Sequence, residues 1–252
     1  MTEQLAPLGS VQTHDFQALS SETVYEGPIF AVRRDEVTMP GGGTAIRDVV
    51  EHDGAVAVVA MNADGAIAMV NQYRHPMGRR MLEIPAGLLD VAGEDALAAA
   101  QRELAEEADL TASRWDVLSD FYTSPGGSDE AIRVYLARDL APAAEVFARG
   151  EEEADIEVRW ASLDEVVDAV LARRVQNPSL AIGARAAHAA RHPRGRRRDR
   201  IRCPHACRIP APSRRSAPSG RCSSCSIVRR HSPGAANRNN PSITATRHSA
   251  WS

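Results

Sequence analysis

The sequence predicts an α+β fold, an α/β/α sandwich with a mixed β-sheet between helices. Segments with strand-like patterns are numerous, helical segments are few, and the two do not alternate as regular β-α-β units. The charge pattern confines this fold to the first part of the chain. Residues 1–184 contain 32 Asp or Glu and 14 Arg, whereas residues 185–252 contain 16 Arg and one acid, Asp199.

The N-terminal part is predicted to be an antiparallel strand region over residues 14–52, preceded by a disordered leader over residues 1–13. Residues 24–37 have β-branched side chains on both sides of Gly27 and Pro28. The Pro-Gly-Gly-Gly stretch at 40–43 predicts a turn before a further strand over 45–51.

The main domain is predicted over residues 53–187 and begins with a central strand. Residues 55–61 form an unbroken apolar run, which indicates a buried strand, and the turn at 62–65 predicts a hairpin with a return strand over 67–73. A short strand over 82–85 is expected to stop at Pro85 and Gly87. Residues 94–108 are rich in Ala, Leu, Glu and Arg and contain no Pro or Gly, so they predict a helix.

The second half of the domain is predicted to contain three more strands and two helices. Strands over 115–123 and 131–136 flank the turn at 124–127, and a last strand covers 156–160. Ser162 and Glu165 form a capping box for a helix that extends to Arg174. Asn177 is expected to cap a further helix that starts at Pro178.

The first predicted helix carries three carboxylates that share one face. Glu103 and Glu107 are four residues apart, and Glu106 lies three residues after Glu103. Like charges at these spacings destabilise an isolated helix, and divalent cations that prefer oxygen ligands would relieve the repulsion. A solvated acidic face is the alternative interpretation of a Glu-rich helix.

Residues 87–110 resemble the Nudix hydrolase signature, G-x5-E-x7-R-E-U-x-E-E-x-G-U, where U is aliphatic. The matching residues are Glu94, Arg102, Glu103, Leu104, Glu106, Glu107 and Leu110. Two positions depart from it, because Gly87 stands one residue early and Asp109 replaces the second glycine. Since Asp tolerates a left-handed backbone better than most residues, we expect a modest loss of stability at Asp109 and intact chemistry.

The resemblance implies a loop and helix that bind two or three Mg²⁺ or Mn²⁺ ions. Glu103 and Glu107 would be the primary ligands, with Glu106 and the backbone carbonyl of Ala86 as further ligands. It also implies that Arg102 orients the carboxylates and that Glu94 holds the loop through Arg102. The cations would neutralise a pyrophosphate and activate a water molecule.

The rest of the domain, from about residue 15 to 187, resembles the ADP-ribose pyrophosphatase subgroup. The similar stretches are residues 83–87 and 124–130, and Pro125 lies fifteen residues after Leu110, as the subgroup's proline does. The implied reaction is hydrolysis of ADP-ribose to AMP and ribose 5-phosphate. The alternatives are a Nudix enzyme for another nucleoside diphosphate sugar and a non-catalytic ADP-ribose sensor.

The resemblance also implies roles for residues outside the signature. The acidic loop at 151–155 would hold the catalytic base, Glu153 or else Glu152, with Glu153 also close to the metal and Glu107 part of the catalytic set. The expected substrate-binding residues are Phe30, Arg47, Glu51, Arg74, Glu83, Pro125 and Gly126. Phe30 is equally compatible with a core position. The subgroup exchanges its N-terminal strands between two subunits, which implies a homodimer.

The tail over residues 188–252 has a different composition from the domain. It is rich in Arg, Pro and Ser and poor in apolar residues, so we expect disorder. All four cysteines lie there, at 203, 207, 222 and 225, without the apolar residues that would surround a zinc site. A nucleic-acid-binding arm is one interpretation, but we favour a frameshift in a GC-rich gene. GC-rich coding is also indicated by the complete lack of Lys in the chain.

The composition also narrows the location and the partners. The longest apolar run is 55–61, far shorter than the ~20 residues of a membrane helix, and the first ten residues contain no basic side chain. We therefore expect neither a membrane span nor a secretory signal. The cysteine-free domain fits a cytoplasmic enzyme. Its excess of acidic groups would repel nucleic acid, so the expected partner is a small-molecule substrate.

Overall fold

The computed structural model describes residues 16–144 and 156–191, all within the unit that spans Met1–Pro212. These residues form ten β-strands and three α-helices. The strands belong to three sheets and pair both in parallel and in antiparallel fashion, which confirms the predicted α+β class with mixed strand directions. Three predicted features lie outside the described residues: the leader, the acidic loop at 151–155 and the tail beyond residue 191.

The N-terminal sheet is antiparallel, as predicted, and contains β1 (Ala18–Glu26), β2 (Phe30–Thr38) and β3 (Thr44–His52). The glycines of the predicted turn have positive φ, 89° at Gly42 and 79° at Gly43, which few other residues adopt. Every residue of β1 after Ala18 is exposed.

The four-stranded sheet is built around β4 (Ala55–Ala60). In strand order it contains β7 (Ala86–Leu88), β4, β9 (Ala131–Pro142) and β8 (Leu110–Tyr122), and β4 runs parallel to β9. Every residue of β4 is buried. The unbroken apolar run therefore reflects a strand that is covered on both faces.

The third sheet has the strand order β10 (Glu157–Ser162), β5 (Ala66–Arg74) and β6 (Arg79–Glu83). The predicted turn between β4 and β5 forms, with Gly65 at φ 81°. The predicted hairpin is wrong in its pairing, because the two strands diverge into different sheets after the single bridge between Met61 and Ile67. Gly87 does not stop a strand as predicted, since it pairs with Val56 inside β7.

The helices are α1 (Ala96–Ala108), α2 (Leu163–Leu171) and α3 (Pro178–Arg191). α1 begins two residues after the predicted Glu94, because the Asp95 side chain accepts hydrogen bonds from the N–H groups of Leu97 and Ala98. The capping box of Ser162 and Glu165 is present, although α2 ends at Leu171 and not at Arg174. No helix in the described part of the chain is long and apolar enough to cross a membrane.

The helices cover opposite faces of the four-stranded sheet and the third sheet. α1 lies on one face, and α2 and α3 lie on the other. Ala57 and Val59 of β4 face a core that includes Leu180 of α3, which we call the α2/α3 core. Val56 and Val58 face a second core, the α1 core, that includes Leu104 of α1. Alternate residues of one strand thus serve two cores, which is the α/β/α arrangement that was predicted.

The α3 helix continues past the predicted end of the domain at residue 187. Its buried residues include Leu180, Ala184 and Ala187, and the hydrogen bond from the Leu180 N–H to Asn177 Oδ1 is 2.9 Å long. These three apolar residues pack α3 on the α2/α3 core.

Candidate active site

The candidate metal ligands lie on the last two turns of α1. Glu103 and Glu107 are buried, with 9% and 5% of their surfaces exposed, and Glu106 is half-buried. Carboxylates at this burial need compensating partners. Those partners come from β7 and from Arg102.

Gly87 lies directly against the Glu103 carboxylate. A Cβ atom at position 87 would approach the Glu103 carboxyl carbon and Oε1 to 2.0 Å, which is far inside van der Waals contact. The position therefore admits only glycine while Glu103 keeps its place. The loop that is one residue longer than the signature still delivers the glycine to the helix.

The backbone of β7 holds the second buried carboxylate. The Ala86 N–H donates a hydrogen bond of 2.9 Å to Oε2 of Glu107. The structure thus brings Ala86, a predicted ligand through its carbonyl, next to a predicted carboxylate ligand. This contact joins a short strand to the helix and fixes the direction of the Glu107 side chain.

Arg102 connects the remaining carboxylates of the signature. Its guanidinium bonds both oxygens of Glu94, at 3.2 and 3.0 Å, and it contacts Glu103 at 2.5 Å and Glu106 at 3.2 Å. The hydrogen bonds to Glu94 outweigh desolvation and raise the pKa of Arg102 above its ordinary value. Arg102 thus contacts Glu94 on one side and Glu103 and Glu106 on the other.

Asp109 takes the backbone conformation expected where the signature has its second glycine. It lies in the left-handed region, at φ 55° and ψ 33°, and its N–H bonds the carbonyls of Ala105 and Leu104 at the end of α1. The replacement of glycine by Asp therefore leaves the helix end in place.

The carboxylate set fits a hard divalent cation in its chemistry. The donors are all oxygen, which is the ligand type that Mg²⁺ and Mn²⁺ prefer. In the described residues, no three His, Cys, Asp or Glu side chains converge as they stand on a point that could hold a metal ion. Arg102 contacts both Glu103 and Glu106 and compensates part of their charge.

Arg74 and Glu83, two of the predicted substrate-binding residues, pair with each other. The guanidinium bonds both carboxylate oxygens, at 2.9 and 2.7 Å, across the antiparallel strands β5 and β6. The Glu83 side chain is 5% exposed and that of Arg74 is 18% exposed. A bidentate pair of this kind fixes the orientation of both groups.

The loop that contains Pro125 and Gly126 docks on the end of β3. The Val50 N–H bonds the Gly127 carbonyl at 2.8 Å, and the Asp129 N–H bonds the Val50 carbonyl at 3.2 Å. Pro125, Gly126 and the end of β3, where Glu51 lies, are thereby brought to the same end of the molecule. The N-terminal sheet and the main domain share backbone hydrogen bonds at this point.

A polar group at the same place was missed from the sequence. The His52 N–H donates to Asp129 Oδ1 at 3.0 Å, and the His52 ring lies 3.9 Å from Glu130. Glu130 also accepts a hydrogen bond of 2.6 Å from the Thr123 hydroxyl. The contact of His52 with Asp129 joins residues 77 positions apart, and the only signal in the sequence was that Asp129 and Glu130 belong to the 124–130 stretch.

Glu51 and Phe30 lie at the same end of the N-terminal sheet. Glu51 forms an ion pair with Arg33, a partner that the sequence did not suggest, and Phe30 stands opposite His52. The Phe30 ring is 42% exposed and packs 5.7 Å from the ring of Tyr25. The core alternative for Phe30 is therefore not what the structure shows.

Arg47 is not brought to this end. It stands opposite Asp35 on β2, five residues from the pairing of Phe30 with His52, which is about 17 Å along a strand. Its guanidinium bonds the Ile46 carbonyl at 2.8 Å. The two candidate bases, Glu152 and Glu153, lie outside the described residues.

Two family models match the chain in sequence. One, described as the NUDIX domain, covers residues 51–181. The other, described as the nucleoside diphosphate sugar hydrolase N-terminal domain, covers residues 16–50. The border between the two matches falls at the end of β3, beside the docked loop.

Known proteins resemble the chain at several levels. It is 53% identical over 176 residues to an ADP-ribose pyrophosphatase of Mycobacterium tuberculosis, covering 70% of this chain and 84% of that protein. It is 36% identical to the ADP-ribose pyrophosphatase of Bacillus subtilis, covering 66% and 88%. A solved ADP compounds hydrolase shares the fold, with a TM-score of 0.58, 20% identity and coverage of 73% of this chain and 100% of that one.

Proposed function

The chain belongs to the Nudix hydrolase family, and we propose that it hydrolyses the pyrophosphate of ADP-ribose to AMP and ribose 5-phosphate. The observation that carries the proposal is the pairing of Glu103 and Glu107 of α1 with Gly87 and Ala86 of β7. The two relatives that are called ADP-ribose pyrophosphatases supply the substrate.

Nudix hydrolases use divalent metal ions, and we propose Mg²⁺ or Mn²⁺ here. Glu103, Glu106, Glu107 and the Ala86 carbonyl would hold it, with Glu153 as a further ligand. When bound, the metal neutralises pyrophosphate charge and lowers the pKa of a bound water molecule. The protein holds the carboxylates in place before the substrate arrives, through Gly87, the Ala86 N–H and the Arg102 guanidinium.

The catalytic base is proposed to be Glu153, with Glu152 as the alternative and Glu107 in the same catalytic set. The base would take a proton from the attacking water, whose oxygen would then bond to one phosphorus. The bond between that phosphorus and the bridging oxygen would break, and the bridging oxygen would leave with the other phosphate group. Carboxylates on a loop suit this step, because the loop can approach a substrate that is already bound.

The substrate is proposed to bind between the α1 carboxylates and the end of β3. Phe30 is exposed and would stack on the adenine, while Glu51 would accept hydrogen bonds from ribose hydroxyls. Pro125 and Gly126 would shape the wall beside the end of β3, where their loop docks. Arg74 would contact phosphate from the position in which Glu83 holds it.

A homodimer is proposed because the N-terminal sheet leaves many apolar side chains exposed. Six large apolar residues of this region are between 42% and 55% exposed: Phe16, Leu19, Val24, Tyr25, Phe30 and Ile46. A concentration of this kind is typical of a surface that a second subunit covers. Exchange of these strands would also carry Arg47 to the site of the partner subunit. The cytoplasm stays the predicted location.

The proposed activity is tested by AMP release from ADP-ribose with Mg²⁺, comparing wild type with Glu103→Gln and Glu153→Gln. We expect the Glu103→Gln variant to lose at least about 100-fold in turnover, since metal-ligand charge is worth several kcal/mol in the transition state. The Glu153→Gln variant should lose kcat with little change in KM. The matched control is Asp64→Asn in the exposed turn after β4, which should keep wild-type turnover.

Two outcomes of this assay would contradict the proposal. Unchanged turnover of the Glu103→Gln variant would remove the metal assignment, and wild-type binding of ADP-ribose without hydrolysis would indicate a sensor. The match of residues 16–50 to a nucleoside diphosphate sugar hydrolase domain favours nucleotide sugars as the second candidate substrates. Turnover of UDP- or ADP-sugars with none of ADP-ribose would establish that alternative.

A further inference from the structure

A groove of about 310 Å³ lies at the edge of the third sheet, next to the segment that follows α2. Four arginines line it: Arg79, Arg80, Arg159 and Arg174. The other lining residues are Asn71, Met81, Leu82, Val175 and Gln176. We call this feature the arginine groove.

The arginine groove lies on the side of the sheet away from α1. Asn71 stands opposite Leu82 in the β5–β6 register, and Leu82 and Val175 pack against the α2/α3 core. Glu83, the next residue after Leu82, points to the other face by strand alternation, where it meets Arg74. The α1 carboxylates and the arginine groove are therefore separate sites on opposite faces.

The arginine groove concentrates positive charge on an acidic domain. Residues 1–184 contain 32 acidic and 14 basic side chains, and four of those 14 meet in this one place. Four guanidinium groups around one cavity repel each other unless an anion is present. Such a concentration is therefore more costly than a dispersed arrangement of the same charges.

Contacts among the described residues offset part of this charge. Arg159 pairs with Glu157 at 2.8 Å, but the two side chains are 55% and 65% exposed, so the pair contributes little to stability. Arg79 contacts the neutral Gln176 amide, and Arg80 reaches the Asn71 carbonyl at 3.4 Å. The pKa of Glu157 is lowered by the hydrogen bond from Arg159 and also by the charge of Arg80, so this carboxylate faces two of the four arginines. A stronger anion can replace the exposed Glu157 without breaking a buried contact.

We propose that the arginine groove binds a small molecule that carries a diphosphate or triphosphate group. Guanidinium groups bind phosphate oxygens in pairs, and several of them in one cavity match several adjacent phosphates. The half-buried side chains of Leu82 and Val175 provide an apolar floor beside the cations. A volume of about 310 Å³ accepts a small ligand but not a polymer.

The test is isothermal titration calorimetry of the full chain with inorganic tripolyphosphate, in EDTA so that no metal is bound at the α1 carboxylates. We expect one saturable site, and about 100-fold weaker binding in the Arg80→Gln/Arg159→Gln double variant. The single variant Arg174→Gln should weaken binding about ten-fold. Since all three arginines are exposed, these variants should keep the wild-type thermal midpoint.

The matched control is the double variant Arg114→Gln/Arg185→Gln, which removes the same charge from exposed positions outside the groove. It should bind tripolyphosphate within about two-fold of wild type. Equal losses of affinity in both double variants would show that binding depends only on net charge, and this would overturn the proposal. Binding that survives Arg80→Gln/Arg159→Gln would also overturn it and would place the anion elsewhere, including the Arg-rich residues 192–252.

A second titration distinguishes the sources of the phosphate group. If ADP binds more tightly than inorganic diphosphate, and the gain is lost in the Arg80→Gln/Arg159→Gln variant, the apolar floor holds a nucleoside. Equal affinities would support recognition of the diphosphate group alone. This result does not depend on the proposed hydrolysis of ADP-ribose, because turnover is not measured.

Discussion

At the scale of single residues, Gly87 matters because it has no side chain. The Glu103 carboxylate occupies the volume that a Cβ atom would take, with 2.0 Å between the two positions. Packing of this kind lets a buried carboxylate approach the backbone of β7. In the proposed function Gly87 is a positioning residue, since it acts through Glu103.

We expect Gly87→Ala to lower kcat about 10- to 100-fold, because the new methyl group must displace Glu103. The apparent Mg²⁺ affinity should fall with it, and steady-state assays over a Mg²⁺ series measure both. Gly41→Ala is the control, because no atom lies within 4 Å of its Cβ position. A Gly87→Ala variant with wild-type Mg²⁺ dependence would contradict the role of the contact.

Arg102 is a second residue whose role depends on its neighbours. It bonds Glu94 ahead of the helix and Glu103 and Glu106 on it, so a single cation holds three acids. The signature alone indicates the residue type, and the structure adds the three carboxylates that it contacts.

At the scale of single elements, the capping box of α2 makes the stability of the helix end depend on pH. The Ser162 side chain accepts from the Glu165 N–H at 3.2 Å, and Glu165 accepts from the Ser162 N–H at 3.0 Å. Hydrogen bonds from the Ser162 hydroxyl and then from its N–H lower the pKa of Glu165. The charged form of Glu165 is therefore favoured in the folded state.

The sign of the pH effect follows from this lowered pKa. The contribution of Glu165 is present above its ordinary pKa and is lost as pH falls through its lowered, folded-state pKa. We expect Glu165→Gln to lower the thermal midpoint at pH 7 and to match wild type in strongly acidic buffer. Thermal unfolding over a pH series measures the difference.

The control for this prediction is the same substitution in a Ser162→Ala background. The effect of Glu165→Gln should be smaller there, because the Ser162 hydroxyl is the first cause of the lowered pKa. A difference between wild type and Glu165→Gln that is equally large at acidic and neutral pH would show that charge is not the cause.

At the scale of the whole molecule, the N-terminal sheet differs from the other two sheets, because many of its apolar side chains are exposed. Its link to the main domain is the docking of the 124–130 loop on the end of β3. The exposed apolar side chains of this sheet are the reason to expect a second subunit there.

We expect Ile46→Glu, at a side chain that is 55% exposed, to convert the proposed dimer to a monomer and to lower turnover with it. Light scattering after size-exclusion chromatography measures the mass, and the AMP assay measures turnover. Leu171→Glu, at an equally exposed position of α2, is the matched control and should stay dimeric. A wild-type monomer with full activity would contradict the exchange of strands.

Local features of the site were predictable from the sequence. The carboxylates of α1 share a helix face because of helical periodicity, and the caps at Ser162 and Asn177 depend on residues three positions apart. The left-handed backbone at Asp109 follows from a signature position that usually holds glycine. Each of these depends on interactions within a few residues, so the order of residue types is sufficient.

Contacts between distant segments could only be decided by the tertiary structure. The pairs of Arg74 with Glu83 and of Arg33 with Glu51, and the separation of β4 from β5 into two sheets, depend on strand register. A shift of one residue would turn these side chains to the opposite face. The arginine groove has the same origin, because its cations come from β6, β10 and the segment after α2.

The sequence by itself therefore determined the class of fold, the helix with its three carboxylates and the family to which they belong. The tertiary structure decided which group holds each carboxylate, which predicted residues lie together and where positive charge collects. The physical reason is range: propensity, periodicity and capping act within a turn or two of chain, whereas burial, ion pairing and register depend on segments that folding brings together.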